Sequence, residues 1–198
     1  MTAGGGVYMS APPEVRVFGH IQETVILHRD VDAITVPEGA PIELAAGSLA
    51  IINQELGGSF TVTVRGNMYR IDGQQADALG REIPVWPEVP PEATRADLEA
   101  AVDQTLRTVY DPEIPINIMD LGLVYRCEVL DAEGGVAVEV DMTLTAPACG
   151  MGPVLVHDVR SRLRRLHGVV EARVQLVFDP PWSRDMMSEA AQLETGLF

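Results

Sequence analysis

The sequence predicts an α+β protein: a small antiparallel β domain followed by an αββαβ domain with a three-stranded sheet covered by helices, plus a short C-terminal helix. Three observations carry this. From Glu14 to about Ile71, short β-branched or apolar runs alternate with Gly and Pro turns. Pro84, Pro87, Pro90 and Pro91 then interrupt the chain, and beyond Glu92 stretches of helical period alternate with stretches of strand period. The expected organisation is a β-rich domain over 1–83, a proline-rich linker over 84–92 and an α+β domain over 93–198.

In the first domain, Val15–Phe18, Thr24–Leu27, Ser48–Ile52 and Thr61–Val64 read as strands, separated by Pro37–Pro41, Gly57-Gly58 and Gly66-Asn67. In the second, Thr94 stands three residues before Asp97, an acidic capping box. Leu98, Val102, Leu106 and Val109 follow at helical spacing, so a helix is expected from about 95 to 109. Asp111-Pro112 and Pro115 end it. Leu123, Tyr125, Cys127 and Val129 then alternate with polar neighbours, and after Gly134-Gly135 the residues Val136, Val138, Val140, Met142 and Leu144 mark a second strand. A second helix is expected over about 152–167, with Leu155, Val159, Leu163 and Leu166 as its apolar stripe and Gly168 as its C-terminal cap. Val169–Phe178 supplies the third strand, and a short helix capped by Ser183 closes the chain with Met186, Ala190 and Leu193 on one face.

Charge and composition exclude several functions. The chain has 198 residues and a formal charge of −15, which opposes binding to nucleic acid or anionic membranes. All 14 basic residues are arginine, so Schiff-base, phosphate-loop and general-base lysines are absent. The opening residues lack the pattern of a signal peptide and no apolar run is long enough to span a bilayer, so a cytoplasmic protein is expected. The two cysteines, Cys127 and Cys149, cannot form a disulfide framework or a four-cysteine metal site.

Cys149 ends a strand and precedes a helix, where unpaired N–H groups and the helix dipole favour thiolate. The alternative is a small buried residue filling a turn. Alternation puts the Thr143 and Thr145 hydroxyls opposite Met142 and Leu144, within reach of the same mouth. Cys127 shares a strand face with Leu123, Tyr125 and Val129 and is expected in the core. Asp111 and Asp120 have turn chemistry as their simplest explanation. Arg160, Arg162, Arg164 and Arg165 make a dense basic run that a solvated helix face explains, with Arg160, Ser161, Arg164 and Arg165 turned away from the apolar stripe and His157 also outward.

Four segments in this order, Asp-Pro-Glu-Ile-Pro at 111–115, Asp-Leu-Gly-Leu-Val-Tyr at 120–125, Thr-Leu-Thr-Ala-Pro-Ala-Cys at 143–149 and Asp-Pro-Pro-Trp at 179–182, resemble the PaaD-like domain of iron-sulfur assembly adaptors. The first domain resembles the SufT-type extension through Thr35–Gly39, Leu56–Val62, Arg70-Ile71 and Ala76–Gly80. The resemblance implies an auxiliary factor for iron-sulfur protein maturation, an adaptor or transient carrier rather than an enzyme. Cys149 is its characteristic cysteine and metal ligand, with Asp111, Asp120, Thr143 and Thr145 as neighbours in a shallow site. Its partners would be SUF-type assembly proteins and client apoproteins. A transient iron-sulfur cluster is the one cofactor the resemblance admits. A four-coordinate cluster prefers four thiolates, so a second subunit in a homodimer, a partner's cysteines, a small thiol or oxygen ligands must complete it. The other function class is a thiol enzyme or redox-sensitive thiol protein with Cys149 as nucleophile. It lacks a base, since His20 and His28 belong to the β domain, His157 faces outward and His167 is a helix length away.

Overall fold

The computed structural model describes residues 23–146 and 150–196. The strand expected at Val15–Phe18 and the Pro147–Cys149 segment lie outside the described residues.

Strands β1 (Glu23–Ile26), β2 (Val31–Thr35), β3 (Pro41–Leu44), β4 (Leu49–Leu56), β5 (Ser59–Val64) and β6 (Asn67–Asp72) form one antiparallel sheet in the order β1-β4-β5-β6-β2-β3. Its two tightest hairpins turn on Gly57-Gly58 and Arg65-Gly66, all at positive φ, the conformation that matches a two-residue turn to strand twist. One face buries Ala50, Ile52, Phe60, Val62, Val64 and Ile71 beneath Ala76, Ala78 and Leu79 of the 3-10 segment Gly73–Leu79. Residues 81–94 form no helix or strand.

Helix α1 (Arg95–Arg107) begins at the expected capping box, Thr94 and Asp97 each bonding to the other's backbone N–H. Strands β7 (Val124–Ala132) and β8 (Gly135–Met142) form a hairpin, and helix α2 (Gly152–Leu163) crosses over to β9 (Val169–Leu176), which pairs parallel to β8. The sheet order β7-β8-β9 leaves β7 at an edge. Leu98, Val102 and Leu106 of α1 meet Leu155, Val159 and Leu163 of α2 over Val138, Val140 and Met142 in one core. The fold class is therefore the expected α+β. The tail differs in detail: Ser183 flanks a 3-10 turn at Arg184–Met186 without a capping bond, and Ser188 caps helix α3 (Glu189–Glu194) instead. The later start rotates the buried face to Met187 and Ala191, and Leu193 is exposed.

Two expectations are corrected. Cys127 is exposed rather than buried in the core. A bulge at Tyr125 separates the pairs Val124↔Met142 and Arg126↔Asp141, so Val124 rather than Tyr125 shares the helix-facing side with Cys127 and Val129. Because β7 is an edge strand, that side is only partly covered at Cys127. Arg162 is likewise no solvated residue: it is 2% exposed and the largest fully buried side chain. The α2 helix packs on the core with one side and on the N-terminal sheet with the next. Across that contact, Arg70 Nε meets Asp158 Oδ2 at 2.9 Å, and Arg165 Nη2 meets Asp72 Oδ2 at 2.6 Å. Arg162 donates to Thr108 O (2.6 Å), Thr108 Oγ1 (2.7 Å) and Ser59 Oγ (2.6 Å). Its guanidinium lies 4.5 Å from the Trp86 ring centroid.

Candidate functional site

The motif residues sit around the turn from β8 into α2 and the loop from α1 back to β7. Thr143 follows β8, and its amide donates to the Leu123 carbonyl at 2.8 Å. Thr143 is 1% exposed, and its hydroxyl has no hydrogen-bond partner among the described residues. Thr143 therefore does not line an open mouth, whereas Thr145 is half-buried. Met151 occupies the N-cap of α2 without a capping side chain, and Pro153 stands in the first turn. The first N–H groups of α2 are thus left to whatever lies before the helix. Cys149, the central candidate, lies outside the described residues.

The two aspartates differ in environment. Asp111 is 3% exposed, and its Oδ1 accepts from the amides of Glu113 (2.8 Å) and Ile114 (2.9 Å). Burial raises its carboxyl above the ordinary aspartate value, and those two amides oppose the rise. The Arg70 guanidinium also favours its charged form. Asp120 is half-buried: Oδ2 accepts from Asn117 Nδ2 at 2.5 Å, and Oδ1 lies 3.4 Å from Arg107 Nη1. Asn117 in turn accepts from the Asp120 amide at 2.9 Å. Both therefore build their own loop, as turn chemistry requires. Among the described residues no three His, Cys, Asp or Glu side chains converge into a metal-binding set.

Cys127 lines a separate groove of about 470 Å³ between α1 and β7, together with Val102, Leu106, Met119 and the acids Glu99, Asp103 and Glu128. Desolvation by the groove walls, with the negative charges of Asp103 and Glu128, pushes its thiol up to about 11. That makes it a poor nucleophile at neutral pH.

The residues that sequence reasoning missed are Arg70, Trp86, Asp158 and Arg162. A signal existed for three of them. Asp158 and Arg162 stand three and seven residues after Leu155, on or beside the apolar stripe of α2. Arg70 sits within the SufT-type motif of the first domain, and so do Gly57 and Ser59. Gly57 allows close approach: a Cβ there would lie 2.3 Å from the Thr108 carbonyl oxygen.

A family model described as iron-sulfur cluster assembly protein matches residues 99–175, from within α1 to the end of β9. An Fe-S protein maturation auxiliary factor of Porphyromonas gingivalis is 48% identical over 98 residues, 50% of this chain and 90% of the relative. The chain belongs to the iron-sulfur cluster assembly protein family. It is SufT-like: the Fe-S protein maturation auxiliary factor SufT of Staphylococcus aureus is 43% identical over 89 residues, 45% of this chain and 98% of that relative. A solved domain of unknown function from Bacillus anthracis is 32% identical, with a TM-score of 0.45, and the match covers 52% of this chain and 95% of that one. The family match takes in Asp111, Asp120, Thr143 and Thr145 and spans position 149. No helix among the described residues is long and apolar enough to cross a membrane.

Proposed function

We propose that this protein is an auxiliary factor for iron-sulfur protein maturation, an adaptor that uses Cys149 as a transient sulfur ligand while a cluster passes to a client apoprotein. The observation that carries this reading is the uncapped start of α2, three residues after the family's characteristic cysteine. The N–H groups and positive dipole end of a helix start favour a thiolate, which is the ligating form of sulfur. The cluster is cargo rather than a resident group. One thiolate of the four that a cluster prefers comes from Cys149, and the others come from SUF-type assembly proteins, a client or a second copy of this chain. Asp120, half-buried with its carboxylate toward Arg107, is the better placed of the two aspartates to lend an oxygen. Asp111 is buried and engaged by its own loop.

The thiol-enzyme reading has less support. His157 is exposed and lines the cleft between α2 and strands β2 and β3, and His28 lies against Gly80 in the first domain. The test is anaerobic co-purification of the full chain with a SUF-type scaffold and an apo-client, followed by iron and acid-labile sulfide analysis. Iron and sulfide should travel with the wild-type complex and be lost from Cys149→Ser. Equal loading of both would overturn the proposal.

A further inference from the structure

The N-terminal sheet touches both segments that carry the family motif. On the 111–115 side, Gln54 Nε2 of β4 donates to the Pro112 carbonyl at 3.2 Å. Gly57 packs on Thr108 and Tyr110 just before that loop. On the α2 side, the turn between β2 and β3 reaches the first residues of the helix. A Cβ on Gly39 would lie 3.0 Å from Pro153 Cβ, and one on Gly150 would lie 3.3 Å from Pro37 Cβ. Between these two points Arg70 of β6 is 3% exposed and is paired with Asp158 of α2 at 2.9 Å. Its charge also acts on Asp111. Arg162 completes the arrangement by joining α2 to Thr108 and to Ser59 of β5.

One antiparallel sheet thus holds two loops that are far apart in sequence, through contacts on β4, β5, β6 and the β2–β3 turn. A purely apolar contact would tolerate sliding. One buried charge pair, Arg70 with Asp158, and a glycine under a proline fix both register and approach. We propose that the N-terminal sheet is a positioning clamp for the family site: it sets the 111–116 loop against the start of α2, with Gln54, Arg70 and the Pro37–Gly39 turn as positioning residues. The clamp rests on the reading of those two segments as the working site. It adds that this chain carries in cis an element governing how open that site is to partners.

The test uses the full chain. Arg70→Leu leaves Asp158 buried without its partner and should weaken docking by about a hundredfold. Gly39→Val wedges the turn away from Pro153 without touching the sheet core, and it serves if Arg70→Leu disturbs folding. The readouts are hydrogen exchange and the alkylation rate of Cys149 relative to Cys127 by mass spectrometry. In Arg70→Leu, amides of 111–116 and 150–155 should exchange at least about tenfold faster while the β7–β8 hairpin keeps its protection. In Gly39→Val, the 150–155 amides should do so. In both, the Cys149 to Cys127 rate ratio should change, and Arg70→Lys should restore most of the wild-type pattern. Unchanged amide rates or an unchanged ratio in both variants would overturn the clamp. Failure of iron loading by Cys149→Ser bears on the function alone, because neither of these readouts requires a cluster.

Discussion

Replacing Arg162 by methionine tests whether the polar contact between the two halves of the molecule stabilises it or merely sits there. Burial pushes the Arg162 guanidinium down from its ordinary value to about 10, so the fold opposes its charge by about 3 kcal/mol. Against that stand the donations to Thr108 O, Thr108 Oγ1 and Ser59 Oγ, at 2.6, 2.7 and 2.6 Å. At about 1.5 kcal/mol each, the low end for bonds from a charged donor, they contribute about 4 to 5 kcal/mol. The Trp86 ring at 4.5 Å adds about 1 to 2 kcal/mol. The balance favours arginine by about 2 to 4 kcal/mol, which is the expected loss for Arg162→Met, whose side chain keeps most of the packing. Arg162→Ala also opens a cavity and should lose about 4 to 5 kcal/mol. The assay is urea unfolding followed by the fluorescence of Trp86 and Trp182, with circular dichroism as a second probe to establish whether one transition or two are present. An Arg162→Met protein within about 0.5 kcal/mol of wild type, or more stable than it, would show that desolvation cancels the bonds and would refute the reasoning.

Three further outcomes are expected. Folding raises the Asp111 carboxyl above its ordinary value, so its charged form carries a penalty that is absent below about pH 4 and complete once pH exceeds the folded value. Asp111→Asn keeps the acceptor for the Glu113 and Ile114 amides and should gain stability relative to wild type as pH rises through that window; parallel stability curves from about pH 4 to pH 7 would contradict this. Cys127 is exposed yet its thiol sits at about 11, so only about one molecule in a thousand is thiolate at pH 8 and alkylation should be slow, rising about tenfold per pH unit. A rate that levels off near pH 8.5 would show an ordinary thiol. We also propose that the chain comprises two folding units meeting at 84–92, with Trp86 pinned against Arg162 but Glu82, Glu88 and Glu92 exposed. A glutamate-specific protease should cut first at those three residues, and early cuts scattered through both halves would contradict the division.

Most of the second half of the fold is legible because its elements up to β9 announce themselves locally, whereas the tail helix starts at Ser188 and not at Ser183. Thr94 and Asp97 mark the start of α1, the Leu155–Leu166 stripe marks α2, and Gly134 marks the hairpin. Cys127 was misread because two non-local facts decide its exposure: the bulge at Tyr125 and the edge position of β7. Arg162 was misread because a basic run near a helix end ordinarily faces water. Arg162 bonds to Ser59, 103 residues away, and the partner of Asp158 is Arg70, 88 residues away. The α2 stripe marks Asp158 and Arg162 as inward-facing, but no local pattern names partners at such separations. The site itself was legible as motif segments rather than as geometry. Alternation placed Thr143 toward an open mouth, whereas the end of β8 turns inward and buries Met142, Thr143 and Leu144 together.

We propose that Cys149 supports iron-sulfur protein maturation in a chain that otherwise stays folded. This is tested most directly by measuring cluster-dependent enzyme activities in cells lacking this protein, complemented with wild type or Cys149→Ser at matched protein levels under high demand for clusters. Wild type should restore those activities and Cys149→Ser should not, while the hydrogen exchange of Cys149→Ser remains that of wild type. Full restoration by Cys149→Ser would contradict it.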